Sequence, residues 1–241
     1  MKAKNVKTFL LALVFAPVMA WAAAALELDR APDVQNDKAA LRSGAATFVN
    51  YCLNCHGLSF VRYKHLGDLG LSDAIISNNL MFTGDKLSDP MRIAARAAEQ
   101  KQWFGVSPPD LSLIARARAS EAGSGADWLY TYLRSFYRDS ERSTGWNNTL
   151  FANVGMSHVF WELQGEQAID PVTHQLKLAL PGSLSPAEYD KKVGDLVGFL
   201  VWASDPSAAF RKQVGFGVLA FLIVLFCLTY ALKKEYWKDV K

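Results

Sequence analysis

Seven residues restrict what the rest of the chain can fold around: Tyr51-Cys52-Leu53-Asn54-Cys55-His56-Gly57. Two thiols three positions apart lie on one side of a helical turn, and an imidazole follows directly. A Cys-x-x-Cys-His run is the attachment sequence of a c-type haem. Cys52 and Cys55 then become the thioether anchors of one covalently bound haem c, joined through its two vinyl groups, and His56 is the proximal ligand of its iron. A zinc site would need four ligands, and the third cysteine, Cys227, sits in an apolar run. A thioredoxin-like redox pair belongs in a βαβ setting, which the sequence does not show.

The two ends of the chain say where such a site works. Lys2, Lys4 and Lys7 precede an apolar run from Phe9 to Ala16, and Ala20-Trp21-Ala22 follows. A basic start, an apolar middle and a small-x-small site read as a secretory signal over residues 1–22. Outside the cytosol two close thiols would usually end as a disulfide; the adjacent His56 favours capture by a haem. At the other end, Val214 to Leu232 carries no charged side chain, which is enough to cross ~30 Å of hydrocarbon. Lys233, Lys234, Lys238 and Lys241 follow it, and that excess of lysine places the C-terminus in the cytoplasm. Tyr230, Tyr236 and Trp237 stand where an interfacial aromatic belt belongs.

The expected organisation is therefore a signal (1–22), an exported haem domain (23–210), and a transmembrane anchor with a short tail (211–241), in a bacterial inner membrane with the haem on the periplasmic side. The formal net charge of +3 conceals this division. Between Ala23 and Phe210 there are 17 Lys and Arg against 21 Asp and Glu, a net −4. A mildly acidic exported face suits a basic redox partner and argues against nucleic acid.

Within the exported part, a helix is expected from Asn36 or Asp37, with Leu41, Ala45, Phe48, Val49 and Cys52 on one face. That puts the haem motif in its last turn, with Gly57 as the stop. Asp89 and Pro90 read as the cap and first residue of a helix running to about Lys101, with Ile93 and Ala97 inward. Pro108-Pro109 fixes an extended backbone whose free carbonyl suits the ring N–H of His56, and Asp110 reads as the cap of the next helix. Asp127 to Arg138 has an amphipathic helical pattern, while Ser143 to Val154 looks irregular. Val159, Trp161 and Leu163, then Leu176, Leu178 and Leu180, alternate like a short hairpin. Ser185-Pro186-Ala187-Glu188 is a capping box opening a helix through Tyr189, Val193, Leu196, Val197 and Leu200, which Pro206 ends. The fold class expected is mainly α: a cytochrome c-like haem domain with a short β hairpin and one C-terminal membrane helix.

A second axial ligand is not fixed by periodicity. Met81, Met91, Met156 and His158 all remain open, and Met156 has the merit of lying in a loop. Arg116 is a candidate partner for a haem propionate. His65 reads as a surface or hydrogen-bonding histidine.

These residues resemble the cytochrome c1 family. The resemblance runs through Cys52-Leu53-Asn54-Cys55-His56 with Tyr63 downstream, Gly84-Asp85-Lys86-Leu87-Ser88-Asp89-Pro90, Pro108-Pro109-Asp110-Leu111-Ser112 with Arg116, Gly155-Met156, and the C-terminal span. It implies that Met156 is the sixth ligand and that Arg116 meets a propionate. It also implies cytochrome b, the Rieske iron–sulfur protein and a c-type cytochrome acceptor as partners, in a dimeric membrane complex. Ser157 and His158 depart from the prolines common after the family's methionine, and the loop from Glu166 to Gly182 is individual.

Two classes of function follow. An iron closed by His and Met passes single electrons and needs no acid, base or substrate pocket, and the chain shows no such constellation elsewhere. An open sixth position would instead make a haem sensor or peroxidase. A monohaem subunit of a terminal oxidase shares the relay chemistry but usually carries its anchor at the N-terminus.

Overall fold

The computed structural model describes residues 27–239, so the expected signal segment lies outside the described residues. The first helix, α1 (Lys38–Tyr51), starts where Asp37 accepts hydrogen bonds from the amides of Ala39 and Ala40. This occupies donors that a helix start leaves free. Leu41, Ala45, Phe48 and Val49 recur at helical spacing and are buried. Strand β1 (Leu58–Arg62) and a 3-10 turn (Tyr63–Leu69) follow, then α2 (Asp73–Asn79).

The next stretch departs from the sequence expectation. Asp89 caps no helix: its carboxylate accepts from the amides of Asp85 (3.0 Å) and Lys86 (2.9 Å), closing a tight loop. Pro90-Met91 forms β2, antiparallel to β1. The helix begins only at α3 (Ala97–Phe104), with Glu99 accepting from the Arg96 amide, and Ala97 is exposed. An Asp-Pro pair has the right chemistry for either structure, because Asp satisfies turn amides as readily as helix amides and Pro also fits an edge strand.

Asp110 likewise caps no helix. It accepts from Ser112 N and from both the amide and hydroxyl of Ser59, tying the double-proline segment to β1. The short α4 (Ile114–Ala117) starts beyond it.

Ser124 and Asp127 form a capping box for α5 (Gly125–Arg134). This helix stops four residues earlier than its amphipathic pattern suggests. The Ser135 hydroxyl bonds back to the Thr131 carbonyl, and Asn148 donates to the freed Tyr132 carbonyl. The aromatic residues that follow enter β3 (Phe136–Arg138), paired with β4 (Trp146–Asn148) inside the stretch expected to be irregular. The expected hairpin is present but displaced. Trp161–Gln164 is a helical turn, α6, and the arms are β5 (Gly165–Ile169) and β6 (Leu176–Pro181).

Helix α7 (Pro186–Ser204) opens with the Ser185–Glu188 capping box and lies against α1. The two helices come closest at Gly44, where a Cβ would sit 2.1 Å from the Asp195 carbonyl oxygen. Phe48 and Phe199 pack beside that crossing, 5.9 Å between centroids. Gly44→Ala should therefore force the helices apart and cost about 1–3 kcal/mol. A thermal melt of the full haem-loaded chain in detergent would show the loss, and an unchanged melt would contradict the close crossing.

The apolar length of the last helix, α8 (Ala208–Tyr236), is exposed among the described residues. Its segment Phe210–Tyr236 contains a stretch whose mean hydropathy is 2.4 and is long and apolar enough to cross a membrane. Cys227 lies on it, exposed. An unpacked apolar helix of this length is stable only with hydrocarbon around it.

Candidate haem site

The haem motif begins where α1 ends. Its helix terminates at Tyr51, and the next residues close a tight turn: Cys55 N and His56 N both donate to the Cys52 carbonyl, at 3.0 and 2.8 Å. The motif thus follows the helix rather than filling its last turn, and Gly57 is not what stops it. Cys52 is buried and Cys55 half-buried, and both are free thiols. Burial, with a smaller contribution from neighbouring Cys55, pushes the Cys52 thiol up to about 12; burial also raises Cys55. A redox-active dithiol needs one thiol of lowered pKa, so this environment is unlike that of a thioredoxin-type pair.

His56 Nδ1 lies 2.7 Å from the Pro109 carbonyl oxygen. A carbonyl only accepts, so the proton sits on Nδ1 and the Nε2 lone pair is left free. Burial holds the imidazole below its ordinary pKa, partly offset by the Pro109 carbonyl and Asp110, and a neutral ring is the form that ligates a metal. The carbonyl is fixed in turn by its surroundings. Leu111 N donates to Gly57 O at 2.8 Å, and Asp110 grips Ser59. Buried Gln100 donates to the Cys55 carbonyl at 2.9 Å.

A second set of contacts is aromatic. The Arg118 guanidinium lies 4.3 Å above Trp128. Trp128 stacks on Tyr132 at 4.9 Å, Tyr132 meets Phe136 edge-on at 5.1 Å, and Phe136 stacks on His158 at 5.0 Å. Met156 packs against this aromatic wall, with the Tyr132 hydroxyl 3.5 Å from its sulfur. Burial raises the Tyr132 phenol well above its usual value, which keeps the hydroxyl protonated.

Two contacts tie residues flanking Met156 to the neighbourhood of the haem motif. A Cβ on Gly155 would touch Val106 at 3.4 Å, three residues before Pro109. The rings of Tyr51 and Phe160 lie 5.0 Å apart.

The other ligand candidates lie in different surroundings. Met91 is fully buried in β2 and Met81 packs on the same core. His158 is enclosed by Phe136 and Trp146, and its ring is held down to about 4 by burial. The His65 ring accepts from the Arg62 amide. Arg116 is engaged away from the wall, 2.6 Å from Asp205, and Asp205 also pairs with Arg211 at the foot of α8. Arg118, two residues on, is the arginine that lies over Trp128. The Arg-Ala-Arg spacing around the end of α4 sends the two side chains to different neighbours, and nothing in the sequence says which faces the wall.

Two cysteines and a free imidazole lone pair on one tight turn fit one group together: an iron porphyrin bonded through both sulfurs. The fold and site thus define a membrane-anchored c-type cytochrome. The model of the Cytochrome C1 family matches residues 31–240, and the chain belongs to that family. As a member it carries one covalent haem c and is a haem-bearing electron-transfer subunit of a bc1-type respiratory complex, held to the membrane.

Relatives support the assignment. Cytochrome c1 of Allochromatium vinosum is 44% identical over 85% of this chain and 86% of its own length. A protein of Nitrosomonas europaea named ammonia monooxygenase gamma subunit is 47% identical over 98% of this chain and 99% of its own. Cytochrome c1 of Rhodospirillum rubrum is 30% identical over 85% of this chain and 83% of its own. A chain of a hyperthermophilic respiratory Complex III aligns with 98% of this chain and 99% of its own at 16% identity and a TM-score of 0.41, a likeness too distant to carry an argument.

Proposed function

We propose that this chain relays single electrons from a Rieske iron–sulfur protein to a c-type cytochrome acceptor, on the periplasmic side of a bacterial inner membrane and beside cytochrome b. Cys52 and Cys55 would hold the haem covalently, through thioether bonds to its two vinyl groups. His56 Nε2 and the Met156 sulfur would hold its iron. When bound, the haem supplies a one-electron couple. His56 is oriented by Pro109, which fixes its tautomer and strengthens its basicity. With Met156 as its second ligand the iron would pass electrons and would activate neither substrate nor oxygen. Arg118, at the end of the aromatic wall, is the better-placed counter-charge for a propionate, with Arg116 occupied by Asp205.

The observation that carries this reading is the 2.7 Å contact from His56 Nδ1 to the Pro109 carbonyl. It leaves one imidazole nitrogen pre-set for a metal beside Cys52 and Cys55. The orientation rests on Lys233, Lys234, Lys238 and Lys241 beyond the span, with residues 1–22 as the export signal and 23–210 outside. The net −4 of that exported part suits a basic acceptor.

A second reading of the acceptor is favoured by the 47% identity to the relative named as a monooxygenase subunit: the same relay would then feed an oxygenase. Purifying the chain from mildly solubilised membranes separates the two. Co-purification with a b-type cytochrome and a Rieske protein is expected; recovery with a monooxygenase and neither of those would contradict the first reading.

A further inference from the structure

We infer that Tyr132 is a positioning residue for the Met156 sulfur, holding the thioether by an O–H···S hydrogen bond and raising the reduction potential of the site. The inference rests on Met156 being an axial ligand, as proposed above.

The Tyr132 hydroxyl lies 3.5 Å from Met156 Sδ, and among the described residues that sulfur is its hydrogen-bond partner. The ring has little freedom to point elsewhere. Trp128 stacks on one face at an interplanar angle of 13°, and Phe136 meets it at 69°. Its backbone belongs to α5, whose start is pinned by the Ser124–Asp127 box, and the Tyr132 carbonyl is taken by Asn148. Met156, by contrast, sits in a loop with no regular structure of its own. A rigid donor therefore meets a flexible acceptor, and the donor sets the geometry.

A thioether sulfur has two lone pairs. When Tyr132 donates to one, the other is left for a metal, and the side of the sulfur that carries it is fixed. Donation also withdraws electron density from the sulfur. An electron-poor ferric iron loses more from a weakened donor than a ferrous iron does, so the oxidised state is disfavoured and the potential rises. The partial positive charge of the hydroxyl hydrogen, directed toward the site, acts in the same sense.

The test is Tyr132→Phe in the full haem-loaded chain, because it removes the hydroxyl and keeps the ring between Trp128 and Phe136. Three quantities are read: the midpoint potential, the weak far-red charge-transfer band of a methionine–iron bond in the oxidised protein, and the thermal melt. The band should be present in the unmodified protein and displaced in the variant. The reduction equilibrium constant should fall about three- to tenfold, as expected for one modest hydrogen bond, or roughly 30 to 60 mV at 59 mV per decade. The melt should barely move, which separates positioning from a structural role. A variant whose band and midpoint match the unmodified protein would overturn the role of Tyr132 while leaving Met156 as ligand. No such band in the unmodified protein would remove Met156 from the iron, and the inference with it.

Discussion

Met156→Leu should lower the midpoint potential by on the order of 100 mV or more, because axial ligands dominate haem potentials. The two side chains are close in volume, so packing against Phe136, Trp146 and Val154 survives the exchange. What disappears is the sulfur, and Tyr132 is left without its acceptor. The reduced variant should also bind carbon monoxide, visible as a shift of its absorption bands. Redox titration checks the first effect; an unchanged midpoint would mean that the sixth ligand lies elsewhere.

Replacing both Cys52 and Cys55 by Ala should abolish covalent haem altogether. His56 would remain oriented by Pro109, and the Met156 segment would still abut Val106, but coordination alone does not survive denaturation. After denaturing electrophoresis, haem staining at the mass of the chain should be present in the unmodified protein and absent from the double variant. Cys227→Ala, exposed on the membrane helix, should stain like the parent. Stain retained in the double variant would show that the haem is attached through other residues.

Features encoded within a few residues of one another were legible in the sequence. The Asp37 cap, the Ser185–Glu188 box and the uncharged stretch before Lys233 are local, and the structure places each where the spacing predicted. The Pro109 carbonyl was legible for a different reason: a double proline leaves an acceptor without a competing donor, and His56 needs one.

The misplaced elements share another cause, which is that their meaning depends on distant partners. Asp89-Pro90 and Asp110 offer the same groups to a turn, a strand edge or a helix start, and only the packing of β1 decides among them. The helix through Tyr132 is cut short by Asn148, sixteen residues on in the chain. The partner of Arg116, Asp205, is 89 positions away. No window along the sequence contains that information.

The account depends on an iron closed on both sides, gripped by His56 and Met156, so that it passes electrons and binds nothing else. The most direct measurement is the visible spectrum of the unmodified, fully reduced protein before and after exposure to carbon monoxide. A closed relay predicts superimposable spectra. A clear shift would reveal an open coordination position and make the protein a gas-binding or peroxide-reacting haem protein instead.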